Sequence, residues 1–278
     1  MQRITNHELS VYEKCLRQEE KSQATLEKYM RDIRHFLAYL EDRTVSKEET
    51  IAYKEYLTQN YAPVSVNSML VAVNGFLRFV GLQKCCVRLM KIQRQIFCRE
   101  DKELTRQEYK RLVQAAAGTQ TSYVLQTICG TGIRVSELQY ITAEAVHQGK
   151  AVVNCKNKTR IIFIPGPLQK LLKEYLKKTG LQSGPVFLGK NKKPLDRSYI
   201  WRKMKELCKT AEVAPEKVFP HNLRHLFARV FYSIEKDIVR LADLLGHSSI
   251  NTTRIYTMET GDQHISRMEQ VQKILFTT

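Results

Sequence analysis

Apolar residues in this chain recur mainly at intervals of three and four positions, and this spacing constrains the fold more than any other sequence feature. In the segment 25–40 the series is Leu26, Tyr29, Met30, Ile33, Phe36, Leu37 and Leu40. Residues spaced in this way share one face of an α-helix, so the pattern predicts an amphipathic helix. Similar patterns recur along much of the 278 residues. We therefore expect a mainly α-helical protein.

A short β signal interrupts this helical pattern. The apolar segments AVVN (151–154) and IIFI (161–164) are separated by the polar turn CKNKTR. Two short runs rich in β-branched residues on either side of a polar turn indicate a β-hairpin. The expected fold class is therefore mainly α with a small β-sheet.

Helix signals divide the chain into two regions. Ser46 and Glu49 form a capping-box pattern, Pro63 precedes a further helical pattern, and Thr105 opens a second capping box. The segment 91–103 has mixed charge and little periodicity. We expect a helical domain at 1–96, a linker at 97–104, and a second domain at 105–278 that carries the hairpin and ends in a helix.

The charge balance indicates a polyanionic partner. Lysine and arginine number 45 against 28 aspartate and glutamate residues, a formal net charge of +17. Such an excess favours nucleic acid, because each neutralised phosphate releases counterions. No apolar run approaches the roughly 18 residues of a membrane helix, and the first residues lack the apolar core of a signal peptide. We expect a cytoplasmic protein without membrane association.

The cysteines predict neither a disulfide framework nor a zinc site. Their number, seven, is odd, and none forms a C-x-x-C pair. The carboxylates and histidines show no pattern typical of a two-metal nuclease. We therefore expect no metal and no other cofactor.

Two polar clusters could bind a phosphate. In TGIRVSEL (131–138), Arg134 follows a glycine turn at the predicted start of a helix. In PHNLRH (220–225), His221 and Arg224 are three positions apart and share one helical face. Each cluster by itself is equally compatible with a surface arginine or a structural histidine.

The segment LADLLGHSSINTTRIYT (241–257) contains a third cluster. The helical pattern breaks at Gly246, and Tyr256 follows His247 by nine positions. A helix-turn-helix motif would explain the break and make Tyr256 a phosphate contact or a core residue. Such a motif does not explain the two upstream clusters. Together the three clusters favour metal-free phosphodiester cleavage, with Tyr256 as nucleophile and arginines stabilising the phosphoryl charge.

The order TGIRVSEL, CKNKTRIIFIP, HNLRH and LLGHSSINTTRIYT resembles the tyrosine recombinase (phage integrase) family, in particular its compact two-domain members of Xer or transposon type. The resemblance implies a SAM-like helical core-binding domain that contacts DNA and a mixed α/β catalytic domain. The site residues that it implies are Arg134 and Arg224 as the clamping arginines, His221 and His247 as phosphate-binding or proton-transferring histidines, and Tyr256 as nucleophile.

The resemblance also implies a lysine in the β-turn as proton donor to the leaving oxygen. Here the turn lacks the glycines common in the family and is one residue shorter, which leaves Lys156 and Lys158 as candidates. We assign the role to Lys156, because it stands at the tip of the expected hairpin, and expect Lys158 to grip the DNA backbone.

By resemblance, the protein is expected to be a site-specific recombinase that forms a 3′-phosphotyrosine link and a Holliday junction. Its expected partners are double-stranded recombination sites, on which four copies assemble. A nicking and resealing enzyme of type IB topoisomerase kind, or a non-catalytic DNA-binding regulator of the same fold, are the alternatives. The helical segment 263–278 is expected to dock on a neighbouring protomer or on its own domain.

Overall fold

The computed structural model describes residues 4, 6–41, 43–92, 102–155, 158–257 and 261–276. The chain forms two compact units, Met1–Arg94 and Gln95–Thr278. Helices dominate, and the strands found in the described residues form one two-stranded sheet. The predicted fold class is therefore confirmed. In the part of the chain described, no helix is long and apolar enough to cross a membrane.

In the first unit the described residues form four α-helices and one short 3₁₀ helix. These are α1 Asn6–Gln18, α2 Gln23–Leu40, α3 Lys47–Asn60, α4 Pro63–Phe79 and the 3₁₀ helix Gln83–Cys85. Helices α2, α3 and α4 match the sequence patterns, whereas α1 was not predicted. Its buried residues are Leu9, Tyr12 and Leu16, too few within 13 mostly polar residues to stand out as a stripe.

Local signals begin two of these helices. The side chain of Ser46 accepts a hydrogen bond of 3.1 Å from the backbone N–H of Glu49, as the capping pattern predicts. Pro63 occupies the first turn of α4. A backbone N–H at this position would have no acceptor within the helix, so no hydrogen bond is lost because proline lacks one. The apolar stripe of α2 is buried, with Ile33 and Phe36 fully enclosed.

The second unit is mostly helical and contains the hairpin. Its α-helices are α5 Arg106–Ala115, α6 Gln120–Thr131, α7 Ala143–Gln148, α8 Gly166–Thr179, α9 Arg197–Glu206, α10 Cys208–Ala211, α11 Pro220–Glu235, α12 Ile238–Leu245, α13 Ile250–Thr253 and α14 Gly261–Leu275. Its 3₁₀ helices include Val135–Tyr140, Pro215–Lys217 and Arg254–Tyr256. One extended core of buried apolar side chains, from Leu104 to Leu226, runs through it.

The hairpin is longer than its apolar segments predicted. Strand β1 spans Lys150–Cys155 and β2 spans Lys158–Phe163, paired antiparallel from Lys150↔Phe163 to Cys155↔Lys158. The pairing extends through polar residues because backbone groups, and not apolar side chains, make the ladder. Lys156 lies outside the described residues, as does most of the predicted linker 97–104.

The spacing of apolar residues across 198–211 is typical of a single helix, but the structure divides this segment at Leu207 into α9 and α10. Both segments bury apolar residues, Ile200 and Met204 in α9 and Ala211 in α10. Apolar spacing is retained across the junction, so periodicity alone does not reveal the interruption.

Candidate active site

The structure brings together four of the residues predicted from sequence. Arg134 precedes the 3₁₀ helix Val135–Tyr140, Arg224 lies on α11, His247 follows α12, and Tyr256 ends a 3₁₀ turn. Arg224 contacts His247 directly, and the rings of His247 and Tyr256 stack with centroids 5.9 Å apart. Residues separated by more than 120 positions in sequence thus form one cluster in the second unit.

Arg224 is the most enclosed member of this cluster, with 1% of its surface exposed. Its Nη1 donates to the carbonyl oxygen of Gly132 over 2.6 Å, and its Nη2 donates to that of Leu245 over 2.8 Å. Burial, together with the nearby charge of Arg134, lowers the pKa of Arg224 to about 10, while the Tyr256 side chain acts to raise it. The guanidinium therefore remains charged at neutral pH.

Arg134 is the more accessible arginine, since 41% of its side chain is exposed. Its Nη1 donates to Glu137 over 3.0 Å, and Nη2 approaches the carbonyl oxygen of Gly246 at 3.5 Å. Glu137 also accepts from the backbone N–H of Arg134 over 2.8 Å. The guanidinium is thus held from one side and open to solvent on the other, as a phosphate-binding group requires.

His247 has a defined tautomer. Its Nε2 lies 2.8 Å from Nη2 of Arg224, and its Nδ1 lies 2.9 Å from Oγ1 of Thr253. A guanidinium can only donate, so Nε2 accepts and the ring proton is on Nδ1. Partial burial and the charges of Arg224, Arg134 and Arg160 lower the pKa of His247 to about 4, which agrees with a neutral ring.

His221 is an exposed residue in the first turn of α11. Its ring lies edge to face with that of His225, one turn along the helix, with centroids 4.6 Å apart. Desolvation is the largest cause that lowers the pKa of His221 to about 4, followed by His225 and the nearby arginines, among them Arg224. Both predicted histidines are therefore neutral at pH 7 in the DNA-free protein.

Tyr256 is almost completely buried, with 3% of its surface exposed. Its ring packs edge-on against His225 at 4.7 Å between centroids and belongs to a small apolar cluster with Ala228, Leu241 and Leu245. The candidate nucleophile is therefore enclosed by α11, which carries Arg224, and by α12, which ends just before His247.

Two cavities are lined in part by Arg134. The first, of about 620 Å³, is lined also by Thr159, Arg160 and His247. The second, of about 380 Å³, is lined also by His221, Arg197 and Trp201. Both have the size of a small-ligand site, and Arg134 lines both, so its guanidinium is accessible to a phosphate.

Sequence reasoning missed two charged residues of this cluster, Glu137 and Arg160. Glu137 is 2% exposed, and Arg160 on β2 donates to it through Nη2. Although burial acts to raise the pKa of Glu137, the backbone hydrogen bond from Arg134 and the charge of Arg160 hold it below its usual value. A signal existed: strand alternation places Arg160 on the same face as Ile162, which is buried.

Of the two lysine candidates, Lys156 lies outside the described residues, and Lys158 is the first residue of β2. A group of three or more histidine, cysteine, aspartate or glutamate side chains suited to a metal ion does not occur among the described residues.

Comparison with known families gives matches over both units. Residues 9–84 match the phage integrase N-terminal SAM-like domain, and residues 102–262 match the phage integrase family. The second match covers more than half of the chain and contains each of the predicted site residues.

Among curated relatives, the tyrosine recombinase XerA of Pyrococcus furiosus is 33% identical over 213 residues, which cover 73% of this chain and 72% of that protein. The tyrosine recombinase XerA of Thermococcus kodakarensis is 28% identical over 282 residues, with 97% and 96% covered. The tyrosine recombinase XerD of Halalkalibacterium halodurans is 28% identical over 268 residues, with 86% and 88% covered.

Two solved structures show the same architecture. The crystal structure of XerA recombinase is 26% identical, with a TM-score of 0.53 and coverage of 99% of this chain and 100% of that chain. A lambda integrase tetramer bound to a Holliday junction is 20% identical, with a TM-score of 0.74 and coverage of 91% and 77%. At that identity the second likeness concerns the fold alone.

Proposed function

Since this chain belongs to the phage integrase family and is a site-specific tyrosine recombinase, we propose that Tyr256 is the nucleophile with which it cuts DNA. The observation that supports this most is the cluster of Tyr256 with Arg224 and His247. A phenol has an ordinary pKa near 10, so it attacks efficiently only beside cations or a base. Arg224 supplies such a charge next to Tyr256.

In the proposed step the Tyr256 oxygen attacks the scissile phosphorus. A bond forms between that oxygen and phosphorus, the bond from phosphorus to the 5′ oxygen breaks, and the 5′ oxygen leaves as a hydroxyl. The proton of Tyr256 passes to a neighbouring base, and a proton from Lys156 reaches the leaving oxygen. Attack by the 5′ hydroxyl of another strand reverses the step and rejoins DNA without an external energy source.

The other site residues would stabilise charge on the phosphoryl group. Arg134 is accessible enough to meet a phosphate directly, whereas Arg224 would act from beneath. The neutral rings of His221 and His247 offer hydrogen bonds and can take up or release a proton near neutral pH once a phosphate is bound. Two arginines beside the charge that develops in the transition state are the main electrostatic contribution.

We propose double-stranded recombination sites as the substrate and four copies of the chain as the assembled form. The excess of basic residues supports a DNA partner. A lambda integrase tetramer on a Holliday junction has a related fold, and the Holliday junction would be the intermediate here as well. The cytoplasm, where bacterial and archaeal chromosomes are found, would be the place of action.

The test uses a nicked suicide duplex that carries the recognition site, from which the cut strand is lost and cannot be rejoined. The wild-type chain should form a covalent adduct that survives denaturant, and Tyr256→Phe should form none while it binds DNA nearly as well. Tyr232→Phe is the matched control, since Tyr232 packs against the same apolar cluster. An adduct formed by Tyr256→Phe would refute the assignment.

Two further measurements separate the alternatives. Crossed products from two matched duplexes mark a recombinase, whereas nicking and resealing of one duplex alone would mark a topoisomerase-like enzyme. Adduct formation should persist in a chelator, because arginines stand where other nucleases place metal ions. Activity that is lost in chelator and returns only with magnesium would contradict the proposed mechanism.

A further inference from the structure

Three arginines donate to three consecutive backbone carbonyls at the end of α12. Arg160 reaches the carbonyl oxygen of Leu244 over 2.8 Å. Arg224 reaches that of Leu245 over 2.8 Å, and Arg134 lies 3.5 Å from that of Gly246. The first two arginines come from β2 and α11, and the third from the turn after α6.

The end of a helix is a suitable place to gather cations. The last carbonyls have no partner within the helix, and the aligned peptide dipoles give this end a partial negative charge. Guanidinium groups that would otherwise repel one another are therefore held close together. His247 follows the last of these carbonyls directly, so the arginines also fix the backbone that carries the histidine.

Arg160 has no role in the reaction as proposed above, yet its side chain is held by several contacts. Besides Leu244, it donates through Nη2 to the buried carboxylate of Glu137. Its aliphatic part lies against Gly246, where an added Cβ would come within 2.5 Å of Cδ of Arg160. Only 14% of its side chain is exposed.

These contacts join three parts of the site. Glu137 orients Arg134 through a hydrogen bond of 3.0 Å, and the carbonyl of Leu244 belongs to the segment that leads into His247. Arg160 itself is carried by β2. One side chain therefore ties β2, Arg134 and the backbone before His247 to each other.

We propose that Arg160 is a positioning residue for DNA cleavage, which fixes Glu137 and the backbone that leads into His247 so that Arg134 and His247 face the same phosphate. The inference rests on the proposed function and deepens it. Arg160 acts through other groups and does not contact the DNA, so its loss should affect the rate of cleavage and leave binding largely unchanged.

The test compares Arg160→Ala and Arg160→Lys with Arg240→Ala. Arg240 is an exposed arginine on α12 paired with Glu235, so the control removes the same charge from the surface of the same unit. For each full-length variant we would measure the thermal unfolding midpoint, the Kd for a duplex carrying the recognition site at several salt concentrations, and the single-turnover rate of adduct formation. Arg160→Lys keeps the charge, but a lysine lacks the fork that serves two acceptors at once.

We expect Arg160→Ala to slow adduct formation by about 10- to 100-fold, the loss typical of misplaced reacting groups. Arg160→Lys should lose about tenfold by the same reasoning. Both should keep the Kd and its salt dependence within about threefold of Arg240→Ala, because no phosphate contact is lost. If Arg160→Ala fails to fold, the rate of adduct formation by Arg160→Lys, at a wild-type unfolding midpoint, tests the proposal.

A double-variant cycle checks the route through Glu137. Arg160→Ala combined with Glu137→Gln should be no slower than the slower single variant, since partners in one network are not additive. Independent, additive losses would show that Arg160 does not act through Glu137, and a reduced salt dependence of Kd would show that it contacts DNA itself; either result would overturn the proposal. So would cleavage by both Arg160 variants at the rate of Arg240→Ala.

The wild-type chain separates this failure from failure of the proposed function. If it forms no Tyr256-dependent adduct, the proposed function is wrong and the inference falls with it. If it forms the adduct and the Arg160 variants do so equally fast, the inference alone is wrong.

Discussion

Nη2 of Arg224 donates a hydrogen bond of 2.8 Å to Nε2 of His247. Because the guanidinium has no acceptor atom, this bond leaves Nε2 without a proton and places the ring proton on Nδ1, which faces Thr253. In the DNA-free protein His247 therefore cannot donate from Nε2 to a phosphate oxygen. For His247 to bind the phosphate as a donor, its contact with Arg224 must break and Nε2 must gain a proton, by protonation of the ring or by a shift of the ring proton from Nδ1.

Thr253→Val should weaken this arrangement. The hydroxyl is the acceptor for Nδ1–H, Thr253 is fully buried, and an unpaired buried donor costs about 1–3 kcal/mol. We expect a lower free energy of unfolding and altered ¹⁵N chemical shifts for both ring nitrogens of His247. Thr252→Val, at an exposed neighbouring position, should change neither. Unaltered His247 shifts in Thr253→Val would contradict the assigned tautomer.

Gly246→Ala should damage the site beyond its effect on the backbone. Gly246 has φ of +65°, and its new Cβ would meet Cδ of Arg160 at 2.5 Å. Gly180→Ala is the matched control, because Gly180 has φ of +69° with no heavy atom within 4 Å. The control should lose about 1 kcal/mol of unfolding free energy from left-handed strain alone. Gly246→Ala should lose more and also slow adduct formation, and equal losses in urea unfolding would show that the contact is unimportant.

The two neutral histidines should make the fold sensitive to acid. The pKa of His221 and of His247 is about 4 in the folded chain against an ordinary 6.5. Between these values the unfolded chain binds more protons than the folded one, so the unfolding free energy falls as pH falls from about 6.5 to about 4. Denaturant titrations across this range should show a shallower decline for His221→Gln and His247→Gln.

His147→Gln is the control for this pH dependence, since His147 is an exposed histidine in the last turn of α7. It should keep the slope of the wild-type chain. A wild-type slope in the two site variants as well would mean that neither His221 nor His247 has its pKa lowered.

The choice between the hairpin lysines remains a prediction. Lys156→Ala should slow cleavage strongly, because a residue at the hairpin tip can approach the leaving oxygen. Lys158→Ala should mainly weaken binding in a salt-dependent manner. A substrate with sulfur in place of the leaving 5′ oxygen needs no proton donor, so it should restore the rate of Lys156→Ala. Restoration of Lys158→Ala instead would reverse the assignment.

The helix α14 leaves a row of apolar side chains exposed, namely Ile265, Met268, Val271, Ile274 and Leu275. If it docks on a neighbouring protomer, removal of residues 261–278 should weaken assembly of two DNA sites more than binding to one. Gel-shift titrations with one and with two sites measure both. Unchanged pairing of sites after the deletion would favour docking on its own domain, the alternative open from sequence.

Arg134, Arg224, His247 and Tyr256, with His221 beside them, could be named from the sequence because they lie in short motifs whose order resembles that of the phage integrase family. A glycine turn before Arg134, the three-residue spacing of His221 and Arg224, and the nine-residue spacing of His247 and Tyr256 are each visible within a few positions. Helical periodicity likewise indicated most helices, since backbone geometry alone sets the interval between residues on one face. It overlooked α1, which has too few apolar residues to form a visible stripe. It also overlooked the division at Leu207, because the apolar spacing continues across that boundary.

Only the tertiary structure determined which groups meet. Arg160 is 84 positions from Leu244, and Glu137 is 23 from Arg160, so no spacing rule links them. Their convergence depends on the packing of a strand, a helix end and a turn around one core, where buried charges must find partners. The same packing encloses Tyr256 and fixes the tautomer of His247. The sequence by itself determined the chemical groups and their order, whereas the three-dimensional fold determined their charge states, their exposure and their contacts.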